Sequence, residues 1–234
     1  DLENITFSYP GHGVETLKEL NLKVKPGEKL MITGANSSGK STLLSILIGM
    51  YDAQNGHLSF NDLPKGNIDL NQFRLLTGNC VDSEQLFEGT LIENISLGRP
   101  SATFDNVKWA AKNMGLLEFV RQQPEGFDTM LDPEGRRLPS SVIQKIILAR
   151  SIAHRPKLLL LKDAFQHLVQ PERNEIIDFM TSKENKWTLI AVSSDVHMAK
   201  KCDRIALMDK GSIAQEGTFK EMKDELTFKK ITHA

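Results

Sequence analysis

A glycine-rich segment, residues 34–42 with the sequence GANSSGKST, constrains the fold of this chain more than any other feature. It meets the pattern G-x-x-x-x-G-K-[ST] at four positions, Gly34, Gly39, Lys40 and Ser41. The short apolar run at residues 28–33 is typical of a buried parallel strand, and residues 42–48 are typical of a helix. A strand, a glycine-rich loop and a helix in this order predict a phosphate-binding loop.

The loop predicts an anion site built mainly from backbone groups. Successive N–H groups and the start of the following helix point toward bound phosphates. We expect Lys40 to reach the β- and γ-phosphates of a nucleotide, and the Ser41 hydroxyl to bind Mg²⁺. Ser37 occupies a position that is often glycine, and its β-carbon is expected to tighten the loop without abolishing it. The candidate nucleotide-binding residues in the loop are Gly34, Asn36, Ser37, Ser38, Gly39, Lys40, Ser41 and Thr42.

Composition and charge exclude several other classes of protein. The chain has 234 residues, 40% of them hydrophobic, which is ordinary for a soluble globular protein. Its net charge of −1 gives no electrostatic support for binding nucleic acid or an anionic membrane surface. Cys80 and Cys202 form no metal or redox motif, so a reducing compartment is expected. The sequence contains no apolar run long enough to span a membrane. Because it begins inside an apparent strand, we expect an excised domain.

Hydrophobic periodicity predicts a mixed α/β architecture. Alternating residues at 2–9 and 20–24 predict two antiparallel strands. Further buried parallel strands are predicted at residues 157–161, 188–193 and 204–208. Helices are predicted at residues 104–114, 116–122, 140–153, 171–182 and 196–201. We therefore predict an α/β fold with a P-loop NTPase core, an antiparallel β flap and a helical subdomain. The core is expected to comprise residues 1–82 and 155–234, and the helical subdomain residues 83–154.

Several further segments match one protein family. They are FSYP at 7–10, LFEGTLIENI at 86–95, PEGFDT at 124–129, DRIALMDKG at 203–211 and EGT at 216–218. Together with the loop, they make essentially the whole chain resemble the nucleotide-binding domain of exporter-type ABC transporters. The resemblance implies an ABC ATPase-like fold and ATP as the ligand. It places Tyr9 where the family has an aromatic ring that stacks on adenine.

The resemblance also implies partners and a location. The expected partner is a membrane-spanning transporter domain, fused to this domain in the full-length protein. A second nucleotide-binding domain is a further partner that the family allows. The expected location is the cytoplasmic face of a membrane, with the bacterial inner membrane favoured.

The motifs that carry catalysis in this family are altered in this chain. The Walker B motif of the family is four apolar residues followed by Asp and Glu, whereas residues 158–161 are followed by Lys162 and Asp163. The signature LSGGQ is replaced by LPSSV at residues 138–142. The degenerate positions are Asp82 in the Gln loop, Pro139, Ser140 and Ser141 in the signature, Lys162 in Walker B, and Ser194 at the switch histidine.

Each replacement has a physical consequence. Lys162 would repel Mg²⁺, and it either forms a swapped ion pair with Asp82 or reflects an unrelated surface change. Asp163 is the candidate catalytic carboxylate, but it is one methylene shorter than Glu, and a shift of about 1 Å can cost about 100-fold in rate. Ser194 has neither the charge nor the reach of histidine. Pro139 lacks an N–H group, so we expect poor contact with a partner's phosphate, although the helix should still form.

Three functional hypotheses follow from these replacements. The leading one is a degenerate exporter domain that binds ATP weakly or as a structural ligand, with little or no hydrolysis. It leaves the use of Mg²⁺ open. The second is a slow ATPase that drives export with a permissive partner, for which turnover would require Mg²⁺. The third is a regulatory or scaffolding pseudo-ATPase, for which nucleotide would not stabilise the fold. We expect His197 to be a solvated helix residue, and His167 to be able to approach a dimer face.

Overall fold

A computed structural model describes residues 1–11, 13–81 and 85–232 of the chain. Its strands are β1 (Leu2–Phe7), β2 (Leu17–Leu22), β3 (Lys29–Gly34), β4 (Asn55–Phe60), β5 (Leu63–Pro64), β6 (Thr77–Cys80), β7 (Gly89–Thr90), β8 (Met130–Leu131), β9 (Leu158–Lys162), β10 (Thr188–Val192), β11 (Arg204–Asp209) and β12 (Ser212–Gly217). Its helices are α1 (Lys40–Leu47), α2 (Leu70–Leu76), α3 (Leu91–Ser96), α4 (Phe104–Asn113), α5 (Leu117–Gln122), α6 (Ser140–Ile152), α7 (Glu172–Thr181), α8 (Val196–Lys201), α9 (Phe219–Met222) and α10 (Leu226–Thr232). Within these described ranges, no helix has the length and apolar character needed to cross a bilayer.

The centre of the fold is a six-stranded sheet with the order β12-β11-β3-β10-β9-β6. All of its neighbouring strands are parallel except β12, which pairs antiparallel with β11. The buried parallel strands predicted from the sequence are therefore confirmed. The register places Val192 of β10 beside Ile32 of β3 and Lys162 of β9. The loop after β3, the end of β9 and the segment after β10 thus share the carboxyl edge, where open α/β sheets bind ligands.

A second, four-stranded sheet has the order β2-β1-β4-β5 and is antiparallel. The two predicted antiparallel strands are present, but their predicted bounds, 2–9 and 20–24, are wrong. The first strand ends at Phe7 and the second begins at Leu17, because these two residues pair with each other. The Thr16 N–H also donates to the Phe7 carbonyl at 2.7 Å, which closes the hairpin at that point.

The two faces of the central sheet bury separate apolar clusters, because successive side chains of a strand point to opposite faces. Leu30 and Ile32 of β3 share a cluster with α1 and the antiparallel sheet. Met31 between them belongs to the larger cluster, which contains residues of α3, α4, α6 and α7. The phosphate-binding loop therefore lies at the edge of a sheet that is covered on both faces, and its supporting strand is fully buried.

Helices α3–α6 lie between β6 and β9 in the chain, where the sequence predicts a helical subdomain. Arg150 joins α6 to α3, because its side chain donates to the Asn94 carbonyl at 2.7 Å and to the Gln85 carbonyl at 3.1 Å. Lys145 of α6 forms an ion pair with Glu172 at the start of α7. Helix α6 is therefore fixed on both sides, to the other inserted helices and to the helix after β9.

Candidate functional site

The loop between β3 and α1 depends on two glycines that no other residue could replace without strain. Gly34 has φ +155°, and a β-carbon there would lie 2.3 Å from the Met208 carbonyl oxygen. Gly39 has φ +101°, and its β-carbon would lie 2.8 Å from Leu17 Cδ2. The Met208 carbonyl of β11, the Leu17 side chain of β2 and the Thr16 carbonyl just before β2 therefore approach the loop so closely that only glycine fits. The predicted strand, loop and helix are all present in this order.

The backbone conformation at Ser37 shows why this position of the loop is often glycine. Its φ is +63°, in the left-handed region that side chains other than glycine rarely adopt. The side chain is exposed, so the cost is confined to the backbone and nothing nearby is displaced. The expectation that Ser37 leaves the loop intact agrees with this geometry.

Lys40 begins α1 and turns back over the loop. Its Nζ donates to the Gly34 carbonyl at 2.8 Å, to the Ala35 carbonyl at 2.7 Å and to Ser38 Oγ at 3.2 Å. Burial lowers the pKa of Lys40 below its ordinary value; Asp163 acts against this change and Lys162 adds to it. The ammonium of Lys40 therefore lies in the electrostatic field of both residues that follow the Walker B apolar run.

A cavity of about 550 Å³ opens beside the loop. The predicted residues in its lining are Tyr9, Ser37, Ser38, Gly39, Lys40, Ser41 and Thr42. Asn36 is exposed in the same loop, and Gly34 lies at its start, but neither lines this cavity. Two ammonium groups that the sequence analysis missed, Lys18 and Lys210, also line it. They come from β2 and the turn after β11, and only the folded chain brings them to the loop.

Tyr9 lies between the loop and two other aromatic rings. Its ring centroid is 5.1 Å from that of Phe7 and 5.5 Å from that of Tyr51, and both pairs are edge-to-face. Its hydroxyl lies 3.0 Å from Thr42 Oγ1 in the first turn of α1. The ring thus borders the cavity beside the loop, and its contact with a base stays a prediction.

A second cavity, of about 480 Å³, lies where β9 meets the start of α6. It is lined by Lys162 and Asp163 from the end of β9, by His167, and by Ser140 from the altered signature. Asp163 has φ +48°, and its N–H donates to the Val192 carbonyl at 2.9 Å, so the chain turns sharply after the strand. In a single chain, the altered Walker B end and the altered signature therefore border the same space.

A third cavity, of about 320 Å³, contains the altered switch position. Asp163 and Ser194 both line it, as do Asp195 and His197. His197 Nε2 lies 2.8 Å from Asp178 Oδ1. His197 lies on α8, as expected of a helix residue, and its side chain is partly exposed while it contacts a carboxylate on α7.

The altered signature forms the start of α6, as the sequence predicts for this helix. Pro139 is the residue before the helix, with φ −58° and ψ 142°, and its carbonyl accepts the N–H groups of Val142 at 2.9 Å and Ile143 at 3.1 Å. Pro139 and Ser140 are exposed, whereas Ser141 is partly buried. The helix is thus complete although the residues that the family uses at this position have changed.

Two candidate protein ligands for Mg²⁺ come from the start of α1 and the end of β9. Ser41 and Asp163 supply one hydroxyl and one carboxylate, while Lys162 places a positive charge at the end of β9. Within residues 1–11, 13–81 and 85–232, no group of three His, Cys, Asp or Glu side chains could hold a metal ion. Asp82 lies outside the described residues, so its ion pair with Lys162 stays a prediction. In nucleotide sites Mg²⁺ is held by one or two protein oxygens together with phosphates and water, so these two ligands are compatible with the ion, whereas the charge of Lys162 opposes it.

The glycine-rich loop, its strand and helix, and the aromatic ring beside them define a P-loop nucleotide-binding domain. The sequence profile described as ABC transporter matches residues 17–166. The chain therefore belongs to the ABC transporter family, and membership implies ATP as its ligand.

Individual proteins agree with this assignment. The chain is 31% identical over 225 residues to the cyclolysin secretion/processing ATP-binding protein CyaB of Bordetella pertussis, covering 93% of this chain and 31% of that protein. It is 31% identical over 222 residues to the alpha-hemolysin translocation ATP-binding protein HlyB of Escherichia coli, covering 95% of this chain and 31% of that protein.

A solved structure, that of a bacterial Atm1-family ABC exporter with ATP bound, matches with a TM-score of 0.90 at 25% identity. The match covers 98% of this chain and 40% of that one. The resemblance to exporter-type domains and the ABC ATPase-like fold are thereby confirmed. The chain spans only 16% to 39% of the length of curated relatives such as these.

Proposed function

We propose that this chain is a degenerate nucleotide-binding domain of an ABC exporter, which binds ATP with little dependence on Mg²⁺ and hydrolyses it slowly or not at all. In this proposal, the domain works at the cytoplasmic face of a membrane and couples to a membrane-spanning transporter domain. Its core comprises residues 1–82 and 155–234, and residues 83–154 form the helical subdomain. Similarity to secretion and export proteins supports this setting.

The phosphate-binding loop supports the binding half of the proposal. The two glycines have the conformations that the loop requires, and Lys40 lies in the loop with its ammonium within reach of a bound phosphate. Lys18 and Lys210 add positive charge to the same cavity. The same lining contains one carboxylate, that of Glu15, so the three ammonium groups leave an excess of positive charge, which favours a polyanion such as a nucleoside triphosphate.

The single observation that carries the second half is the position of Lys162. It ends β9 at the carboxyl edge of the sheet, and its charge acts on Lys40 in the loop. Across the described residues, no hydrogen bond or ion pair engages the Lys162 ammonium. A cation at this place repels Mg²⁺, and it supplies part of the positive charge that the metal would have given to bound phosphates.

Asp163 and Ser194 support slow hydrolysis. They border one cavity, but neither has the reach of the Glu and His that the family uses at these positions. Losing acid–base assistance alone costs about 100- to 10,000-fold in rate. The retained Asp163 carboxylate favours a second candidate function, a slow ATPase that needs Mg²⁺ for turnover, because this carboxylate lies in the electrostatic neighbourhood of Lys40.

Calorimetry of ATP binding with and without Mg²⁺ tests the role of Lys162. We expect Mg²⁺ to change the affinity of the unaltered chain by less than about threefold, and to tighten binding to the Lys162→Asp variant by about tenfold or more. Lys157→Asp is the matched control, because Lys157 is an exposed lysine at the opposite end of β9. Strong tightening by Mg²⁺ in the unaltered chain would contradict the proposal, as would failure to bind ATP at all.

A phosphate-release assay tests the proposed lack of hydrolysis. The unaltered chain is compared with a triple variant that carries Lys162→Asp, Asp163→Glu and Ser194→His. Measurable turnover at the same rate in both proteins would contradict the proposal, because the altered residues would then not limit the reaction. Mg²⁺-dependent turnover by the unaltered chain would favour the slow ATPase. If the triple variant stays inactive, the altered signature becomes the limiting defect, and restoring its serine and two glycines at residues 139–141 is the next change.

A further inference from the structure

One contact at the nucleotide-binding cavity joins the aromatic ring to the first turn of α1. The hydroxyl oxygen of Tyr9 lies 3.0 Å from Thr42 Oγ1, although the two residues are 33 positions apart in the sequence. Thr42 is only 4% exposed, and both residues line the same cavity of about 550 Å³. The hydrogen bond therefore forms part of the cavity wall, between the place of the base and the place of the phosphates.

The direction of the Tyr9 hydroxyl is fixed by its neighbours. Phe7 and Tyr51 meet the Tyr9 ring edge-to-face, at interplanar angles of 85° and 88°. Such pairs resist rotation of the ring, because aromatic rings prefer this relative orientation over stacking directly face to face. The hydroxyl is therefore held toward α1, and its contact with Thr42 is a property of the packed cluster.

The chemistry of the two hydroxyls gives this contact a direction. A threonine hydroxyl has one hydrogen to donate and lone pairs to accept. If Tyr9 donates to Thr42 Oγ1, the hydrogen of Thr42 is free to be donated into the cavity. Phosphate oxygens only accept hydrogen bonds, so they favour this arrangement, and consecutive hydrogen bonds strengthen one another.

We propose that Tyr9 is a positioning residue whose hydroxyl orients the Thr42 hydroxyl toward a phosphate of the bound nucleotide. The proposal rests on the proposed function, because it concerns the same site. It assigns two roles to one side chain, a ring face for the base and a hydroxyl that acts on phosphate through Thr42. The site would thus favour nucleoside di- and triphosphates, since an unphosphorylated nucleoside could use only the ring.

A double-mutant cycle with ATP tests this role. In Tyr9→Phe the ring and its packing remain while the hydroxyl is lost, and we expect ATP to bind about three- to tenfold more weakly, the range of one neutral hydrogen bond. In Thr42→Val there is no threonine hydroxyl for Tyr9 to orient, so adding Tyr9→Phe should cause no further loss of ATP affinity. Thr42→Ser keeps a hydroxyl and should restore the sensitivity to Tyr9→Phe. Tyr51→Phe is the matched control from the same aromatic cluster, and it should bind ATP like the unaltered chain.

The outcomes separate this inference from the function on which it rests. Two results overturn the inference alone. One is an unchanged ATP affinity in Tyr9→Phe, and the other is a loss of ATP affinity from Tyr9→Phe that is just as large when Thr42→Val is also present. An unaltered chain that binds no ATP overturns the proposed function together with the inference. Melting temperatures of all variants, measured without nucleotide, show whether a loss of affinity reflects a loss of folding.

Discussion

Lys29, the first residue of β3, predicts an unusual dependence of stability on pH. Its side chain is fully buried, and its Nζ donates to the Asn185 carbonyl at 2.9 Å and to the Trp187 carbonyl. Burial, followed by repulsion from Lys183, lowers the pKa of Lys29 from 10.5 to about 8. The strand that leads into the phosphate-binding loop therefore starts with a charge that the fold tolerates poorly.

The sign of the effect follows from proton binding. Between pH 8 and pH 10.5 the folded protein has released the Lys29 proton, whereas the unfolded chain still holds it. The unfolded state binds more protons in this window, so the free energy of unfolding rises as pH rises. The cost of the buried charge is complete below pH 8, and a shift from 10.5 to about 8 makes it about 3 kcal/mol, most of which is relieved by pH 10.

Urea unfolding from pH 7 to pH 10 measures this contribution in the unaltered chain and in Lys29→Met. At pH 7 we expect the two to differ little, because methionine removes the buried charge but leaves two carbonyls without a donor, at about 1–3 kcal/mol each. From pH 7 to pH 10 the unaltered chain should gain about 2–3 kcal/mol relative to the variant. Lys25→Met, which removes an exposed lysine, is the control, and its profile should parallel that of the unaltered chain.

Titrations that both proteins share cancel in this difference. The N-terminal ammonium of Asp1, for example, has a pKa lowered from 8.0 mainly by burial, and Lys29 is not among the groups that shift it, so its titration affects the parent and the variant alike. Parallel profiles for the unaltered chain and Lys29→Met would refute the reasoning, since they would mean that Lys29 keeps an ordinary pKa in the folded protein.

Three further outcomes are expected. Gly39→Ala should lower stability by about 2 kcal/mol and weaken ATP binding because its φ is +101°, whereas Gly13→Ala faces open space and should change neither the melting temperature nor calorimetric affinity. Glu172→Gln should cost about 3 kcal/mol in urea unfolding and Lys145→Met less, since the Lys145 side chain is 10% exposed and that of Glu172 is 35% exposed. Because burial lowers the pKa of His154 from 6.5 to about 4, the unfolded chain takes up a proton first as pH falls through this window. Between pH 7 and pH 4 the free energy of unfolding should therefore fall by up to about 3 kcal/mol. Unfolding experiments at these two pH values should not show this loss in His154→Gln.

Strands β3, β9, β10 and β11 of the central sheet were predictable because each is a short, largely buried apolar run. Residues 157–161, 188–193 and 204–208 have this pattern, and each lies within a residue of an observed parallel strand. The phosphate-binding loop was predictable for a different reason, since its spacing of glycine, lysine and serine has few other uses. Pattern and motif therefore sufficed for these four strands and for the loop that follows β3.

Residues 55–80 were not predicted, although they contain β4, β5, α2 and β6. Their apolar side chains are few and several are exposed, such as Leu63 and Leu76. Neither the helical period of 3.6 residues nor the strand period of two residues is therefore visible in the sequence. Strand β6 is only four residues long and contains glycine, and it exists because it pairs with β9. Its structure is set by long-range contacts that a local pattern does not contain.

Prediction of the site residues from the sequence was limited in the same way. Tyr9 and the loop residues have motif neighbours that identify them, whereas Lys18 and Lys210 are ordinary surface residues in the sequence. They reach the cavity because β2 and the turn after β11 both pack against the loop, where the carbonyl of Gly211 accepts the Lys18 N–H at 3.0 Å. Side chains that a fold assembles from separate hairpins leave no signal in one sequence.

The cavity shared by Lys162, Asp163 and Ser140 makes the altered positions interdependent. A substitution at any one of them changes the charge and volume that the other two meet, so effects measured singly should not sum. Step-by-step restoration of this chain could then pass through intermediates that are worse than either end point. Under the proposed slow hydrolysis, joint replacement of these residues is then the shorter route to faster turnover, because each one sets the charge and volume that the others meet.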